Sequence, residues 1–308
     1  MRALYDLPAP AKINLFLHVV GRRDDGYHLL QSVFMLIDWC DTLHFELRQD
    51  GQLRRHDLTA SLPADDLCLR AAHALQREAG VTHGADISID KQVPWGAGLG
   101  GGSSDAATTL LALNRLWKLN WPRERLQGIA VTLGADVPFF VGGRNAWVEG
   151  IGDQLTPIEW PRTPQPAHQW FAVVKPTISI PTSAIFNSHL LARDTKRAIV
   201  SDFLAGPNPQ IAGNNDLKNL TKSLTGFGKN DLQGPAQAYS NEVSQALELL
   251  SNRFGNSRMT GSGSAVFADA GNGTQPQAPM LNPSEFPSNW VGRMCRSLNQ
   301  HPLLDWAS

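Results

Sequence analysis

From Ala11 the chain alternates apolar and polar positions, with Lys12 and Asn14 set between Ala11, Ile13 and Leu15, and then turns almost wholly apolar through Phe16, Leu17 and Val19. Period-two alternation passing into a continuous apolar run predicts a strand running into a buried sheet. Gly21 and Asp24-Asp25-Gly26 predict a turn, after which residues 29–39 and 42–47 predict two further strands with a bend at Cys40-Asp41. Leucines and alanines recur at helical spacing over residues 67–75, behind Asp65-Asp66, whose carboxylates suit a helix start. Strand-like alternation returns over residues 85–91 through Ile87 and Ile89. From Ser103, the positions Ala106, Ala107, Leu110, Leu111, Leu113 and Leu116 fall at three- and four-residue steps, which predicts a helix with one apolar face.

Pro157, Pro161, Pro164 and Pro166 are too dense for either regular element and predict a domain boundary, dividing the chain into residues 1–158 and 159–308. A length of 308 residues fits two domains at roughly 150 residues each. Beyond the boundary, residues 170–175 predict a strand, 237–250 a helix, and 258–268 a small-residue loop running into a strand. The Pro-, Asn- and Gln-rich residues 271–287 predict a long surface loop. No internal repeat is present in the sequence.

Lys and Arg number 27 against 28 Asp and Glu, a net charge of −1 that argues against a general grip on nucleic acid or anionic lipid but leaves room for a local basic patch. Cys40, Cys68 and Cys295 are too few and too scattered for a disulfide framework or a zinc site, which fits a reducing compartment, the cytoplasm by default. The apolar stretch 13–20 is short, contains His18 and follows Lys12, so neither a membrane span nor a signal peptide is expected.

The strongest chemical signal is Pro94-Trp95-Gly96-Ala97-Gly98-Leu99-Gly100-Gly101-Gly102-Ser103-Ser104, immediately before the predicted helix. Glycines permit left-handed turns and close ligand approach, and the N–H groups at a helix start favour an anion, so a phosphate-binding loop is expected. A merely flexible turn is the weaker alternative, since two hydroxyls and a helix follow at once. Gly96, Gly98 and Gly101 match GxGxxG, yet no second strand ends in an acid at the distance a dinucleotide fold needs. No Lys-Ser or Lys-Thr follows the glycines either, so the catalytic cation must come from elsewhere.

Lys12 is the candidate, because an unpaired ammonium on an apolar strand is costly and calls for an anionic partner; a strand-edge lysine snorkelling to water is the alternative. Asp136, in Gly134-Ala135-Asp136-Val137-Pro138, offers that partner, or else caps a helix. Asn14, two residues beyond Lys12, shares its strand face, where its amide could orient a substrate. Tyr27 and His28 beside a turn suit stacking on and bonding to a planar group, or are ordinary surface residues. The small-residue run 259–265 either approaches the glycine loop closely or is a tight hairpin turn.

Together, Pro-Ala-Lys-Ile-Asn-Leu from Pro10, Gly-Tyr-His from Gly26, Gly-Leu-Gly-Gly-Gly-Ser-Ser from Gly98, Gly-Ala-Asp-Val-Pro from Gly134 and the late Gly-Ser-Gly resemble the GHMP kinase superfamily, in its motif order. The resemblance implies a two-domain α+β fold, ribosomal-protein-S5-like in its N-terminal half and ferredoxin-like in its C-terminal half, with substrate in the cleft between. It implies ATP and Mg²⁺ as cofactors and phosphoryl transfer to the 2-hydroxyl of a diphosphocytidyl methylerythritol, in the non-mevalonate route to isoprenoid precursors. By the matching motifs Asp136 is the base and Lys12 its charged neighbour. Pro94 to Ser104, with Lys91 ahead of them, hold ATP. Cytosine lies between Tyr27 and Phe186 with His28 at its edge and Thr182 nearby. A hydroxyl of Ser103 or Ser104 assists the metal, whose other ligands are unassigned. The expected partners are the small cytidyl substrate and ATP, with neither nucleic acid nor membrane, in a monomer or weak homodimer. Asp66-Leu67 departs from the Asn-Leu common near the family's adenine pocket. Another small-molecule kinase of the superfamily, such as a mevalonate or homoserine kinase, is disfavoured by Gly-Tyr-His; a non-catalytic relative is disfavoured by Lys12, Asp136 and the intact glycine loop.

Overall fold

The computed structural model describes residues 2–158, 168–205, 226–276 and 281–308. Two long strands open the chain, β1 (Ala3–Arg22) and β2 (His28–Arg48), paired antiparallel around the predicted turn. The bend expected at Cys40-Asp41 is a bulge rather than a break. Pro10 pairs with Cys40 but Ala11 with Ile37, which leaves Asp38 and Trp39 without opposite residues on β1. A bulge twists and bends a strand while letting pairing resume, so the two predicted strands are one element.

β3 (Leu53–Asp57), β4 (Gly84–Asp90), β5 (Ala146–Glu149) and β6 (Gln154–Pro157) complete a six-stranded sheet in the order β3-β4-β2-β5-β6, with β1 on β2. A second, antiparallel sheet has the order β10-β7-β9-β8, from β7 (His168–Lys175), β8 (Arg258–Met259), β9 (Val266–Gly273) and β10 (Val291–Arg296). Among the described residues, every strand up to Pro157 thus lies in the first sheet and every strand from His168 in the second. The predicted boundary falls on residues 159–167, outside the described residues.

Helices α1 (Leu67–Ala79), α2 (Gly101–Leu116), α3 (Arg123–Leu133) and α4 (Val137–Gly142) belong to the first sheet's half; α5 (Thr182–Phe186), α6 (Val200–Ala205), α7 (Gln233–Tyr239) and α8 (Asn241–Phe254) follow. Phe34 and Leu36 of β2 pack with Leu110 and Leu111 of α2, while the alternate residues Val33, Met35 and Ile37 pack with Phe171, Val173 and Phe267 of the second sheet. On that sheet's far side, Ala172, Val174 and Ala268 meet Val243, Ala246 and Leu250 of α8. The layers are therefore helices, sheet, sheet, helices. Strands covered on both faces must be apolar at successive positions, which explains the loss of alternation in the sequence.

The helix predicted over residues 237–250 is two helices. Ser240 takes an extended conformation between them, and its hydroxyl accepts from the Glu242 N–H at 3.3 Å as the start of α8. Nor is 271–287 simply a surface loop. Residues up to Gly273 finish β9 against His168 and Gln169, and Phe286 is buried in the core with Trp290. Asp66 caps α1 as expected, accepting from the Leu69 N–H at 3.0 Å, and pairs with Arg55 at 2.8 Å. The chain's end returns to the first half, where Leu303 and Ala307 join the helix-side core.

Candidate active site

Two segments far apart in sequence meet at the glycine loop. The Lys12 N–H of β1 donates to the Leu99 carbonyl at 2.9 Å, and the Ala265 N–H of the late loop donates to the Ala97 carbonyl at 3.1 Å. Contact is so close at Gly98, φ +74°, that a Cβ there would lie 2.4 Å from the Thr260 carbonyl oxygen. The late Gly-Ser-Gly segment is thus both the β8–β9 hairpin loop and a neighbour of the glycine loop. α2 begins directly at Gly101 after Gly100, with no side-chain cap and no acidic residue in its first turn. Its first N–H groups and positive dipole end are left for an anion. The Ser104 hydroxyl, buried in that turn, has no hydrogen-bond partner among the described residues.

Lys91, expected beside the nucleotide, lies in the floor of the loop. Its ammonium pairs with Asp41 and, at 2.8 Å, with Asp105 of α2; all three side chains are nearly sealed from solvent. Asp41 also accepts the Gln92 and Val93 N–H groups at 2.6 and 2.7 Å, which fixes the chain where it leaves β4. Burial pushes Lys91 towards neutrality, but Asp105 and Asp41 outweigh it and raise its pKa. Burial also raises the Asp105 carboxyl, against the pull of Lys91. The triad anchors the loop, and the Lys91 ammonium is already occupied by it.

Lys12 points from β1 into a cavity of about 720 Å³. Its ammonium donates to the Asn14 side-chain oxygen at 2.6 Å, lies 4.6 Å from the Phe34 ring centre, and stands 3.6 Å from the Asp136 carboxylate. Asn14, expected to face substrate, is engaged by the protein at both amide ends: Oδ1 by Lys12 and Thr260, Nδ2 by Ser32 at 2.9 Å. Lys12 is thereby held on a fixed bearing. Asp136 precedes α4 but makes no capping bond to it, so the cap alternative does not account for the carboxylate. The side chain is 30% exposed against 4% for Lys12, so both line the cavity and the carboxylate is the more open of the pair.

The same cavity is lined by Gly96, Gly98 and Gly100, by Tyr27 and His28, and by Thr182 and Phe186 of α5. Trp95 is mostly exposed, and Pro94, Ala97, Leu99, Gly101, Gly102 and Ser103 shape the loop without lining the cavity. Tyr27 is 60% exposed at the rim. The ring stacked on Phe186 is that of His28, centroids 5.0 Å apart at 30°, where a Tyr27–Phe186 sandwich with His28 at the edge was expected. The Thr182 hydroxyl bonds Ser262 of the late loop at 2.9 Å. Thr260, Ser32 and Arg193 were missed from the sequence. Thr260 and Ser32 lie at the edges of the late small-residue run and of the Gly-Tyr-His turn, whereas Arg193 lies in an aperiodic stretch without any local signal.

Among proteins of known family, residues 66–144 match the N-terminal domain of the GHMP kinases. The chain is 64% identical to a 4-diphosphocytidyl-2-C-methyl-D-erythritol kinase of Methylibium petroleiphilum, over 100% of this chain and 99% of that one. It is 55% identical to a protein of the same name from Variovorax paradoxus, over 100% of both. The crystal structure of a 4-(cytidine 5'-diphospho)-2C-methyl-D-erythritol kinase superposes with a TM-score of 0.71 at 29% identity, covering 94% of this chain and 99% of that one. A homoserine kinase from Cytophaga hutchinsonii shares the fold at a TM-score of 0.63 and 16% identity, covering 98% of this chain and 96% of that one.

Proposed function

The chain belongs to the 4-diphosphocytidyl-2-C-methyl-D-erythritol kinases, within the GHMP kinases, and from that premise we propose that Asp136 and Lys12 are its phosphoryl-transfer pair, with ATP along the glycine loop and the cytidine end of the acceptor at Tyr27, His28 and Phe186. The protein is an ATP-dependent kinase that phosphorylates the 2-hydroxyl of 4-diphosphocytidyl-2-C-methyl-D-erythritol, a step towards isoprenoid precursors. The observation that carries the residue assignment is the 3.6 Å Lys12–Asp136 pair, facing the same cavity as the glycine loop and the Tyr27–His28 turn.

Phosphoryl transfer asks a protein mainly for alignment and charge stabilisation. The acceptor oxygen forms a bond to the γ-phosphorus as the bond from that phosphorus to the β,γ-bridging oxygen breaks; ADP leaves with those electrons. The hydroxyl proton passes to the Asp136 carboxylate, which accepts no hydrogen bond from any described residue other than its contact with Lys12. Lys12, oriented by Asn14, offsets negative charge on the transferring oxygens, and the first N–H groups of α2 do the same for the phosphates.

No group of three or more His, Cys, Asp or Glu side chains forms a metal cage among the described residues. Mg²⁺ held chiefly by ATP phosphates needs only one or two protein oxygens, and the unpartnered Ser104 hydroxyl beside the loop fits that donor set. When bound, the ion would supply charge neutralisation on the phosphates. No described helix is long and apolar enough to cross a membrane. With three free cysteines and a net charge of −1, we place the protein in the cytoplasm without a nucleic-acid partner, as a monomer or weak homodimer of chains divided near residue 158.

The test is ATP turnover with Mg²⁺ against a panel of 4-diphosphocytidyl-2-C-methyl-D-erythritol, mevalonate, homoserine and galactose. Selective turnover of the cytidyl alcohol is expected. Preference for another alcohol would overturn the acceptor assignment while keeping the phosphoryl-transfer pair.

A further inference from the structure

Arg193 lies in the aperiodic segment after α5, and its guanidinium joins two walls of the cavity. Nε donates to His28 Nε2 at 3.1 Å, Nη2 to the carbonyls of Phe186 and Ser188 at 3.0 Å each, and Nη1 to the Leu191 carbonyl at 3.1 Å. The residue that carries Phe186 is thus tied to the same guanidinium as the imidazole stacked on it. A guanidinium is a donor only, so His28 Nε2 must present a lone pair to it. Burial first, then the charges of Arg193 and Arg22, lower the His28 pKa, so the ring is neutral at neutral pH and its single proton sits on Nδ1. His28 lines the cavity, and Nδ1 has no partner among the described residues.

We propose that Arg193 is a positioning residue for base selection: by fixing the His28 ring and tautomer, it presents an Nδ1–H donor that accepts cytosine and rejects uracil. The inference rests on the cytidine assignment above. Cytosine N3 carries a lone pair, whereas uracil N3 carries a hydrogen. An Nδ1–H donor bonds the first and opposes the second. Without Arg193 the imidazole is free to move its proton to Nε2, and Nδ1 then accepts from uracil as readily as it formerly donated to cytosine.

The experiment measures dissociation constants of CDP and UDP for the parent, Arg193→Met and Arg193→Lys, with and without His28→Ala, alongside KM for ATP and kcat at saturating acceptor. The parent should prefer CDP. Arg193→Met should cut that preference about tenfold, as loss of one hydrogen-bond discrimination would, while KM for ATP and kcat stay within about twofold. Arg193→Lys, which retains a donor and a charge, should recover part of the preference, and in His28→Ala the Arg193 substitution should no longer change it. In the parent, imidazole ¹⁵N spectra should place the His28 proton on Nδ1, a readout independent of any variant's folding. If Arg193→Met weakens CDP and UDP equally, Arg193 merely braces the Phe186 segment and the proposal is wrong; a proton on Nε2 also sinks it. If the parent does not prefer CDP at all, the cytidine assignment falls and takes this proposal with it.

Discussion

Replacing Gly98 with alanine tests whether the glycine loop must sit against the late loop. Gly98 holds φ +74°, a conformation that costs alanine about 1–2 kcal/mol. Its new Cβ would stand 2.4 Å from the Thr260 carbonyl oxygen and 3.2 Å from the Gly263 nitrogen. Reaching ordinary van der Waals distance requires the two loops to part by roughly 1 Å, an overpacking cost of about 1–3 kcal/mol. Strain and overpacking together predict a loss of about 2–5 kcal/mol of stability. The displacement also reaches the chemistry, because the next residue, Leu99, is bonded to the Lys12 backbone at 2.9 Å. A misplacement of that size at a phosphoryl-transfer site lowers kcat/KM by about 10²-fold. The matched control is Gly102→Ala: Gly102 is helical, needs no positive φ, and its Cβ would meet only Leu67 at 4.0 Å, so stability should rise by about 0.5–1 kcal/mol. Urea unfolding of the unliganded protein and steady-state ATP turnover read both effects. A Gly98→Ala protein as stable and as active as its parent would refute the close contact on which the site depends.

Lys91→Met should destabilise the unliganded protein by about 3–5 kcal/mol, because it strands the buried Asp41 and Asp105 carboxylates. Unchanged unliganded stability with a raised KM for ATP would instead make Lys91 a direct nucleotide contact. His301 is fully enclosed, and burial, helped by the charge of Arg123, lowers its pKa to about 3. The unfolded side chain titrates near about 6.5, so between those values the unfolded chain binds a proton that the folded chain does not. This contribution to stability is complete above the unfolded value and is lost as pH falls, by about 2 kcal/mol at pH 5. His301→Asn keeps an acceptor for the Leu303 N–H and cannot titrate, so its unfolding free energy should drop by about 2 kcal/mol less between pH 7 and pH 5 than the parent's; parallel curves would disprove the assignment.

The residues that had to solve an electrostatic problem locally were legible in the chain. A lone Lys12 in an apolar strand demanded an anion, and Asp136 is the anion it faces. The glycine run also announced its close neighbour, since only small residues occur in the late loop that touches it. Lys91 carried a usable signal that pointed elsewhere: it continues the parity of Ile87 and Ile89, both buried, which turns its ammonium inward to carboxylates rather than outward to a nucleotide. Those carboxylates, Asp41 and Asp105, come from β2 and α2, and nothing local to Lys91 names them. Burial of β2 on both faces erased the period that would have separated its two cores, and its bulge read as a break. Arg193 was illegible for the opposite reason, because its segment has no repeating pattern and its role arises only from four hydrogen bonds made in the folded state.

The central claim is that Asp136 takes the acceptor proton beside Lys12. Asp136→Asn preserves size and removes the base, so ADP release with 4-diphosphocytidyl-2-C-methyl-D-erythritol should fall by about 10²–10⁴-fold in kcat, with the dissociation constant for ATP nearly unchanged. Near-parental kcat in that variant would contradict the account.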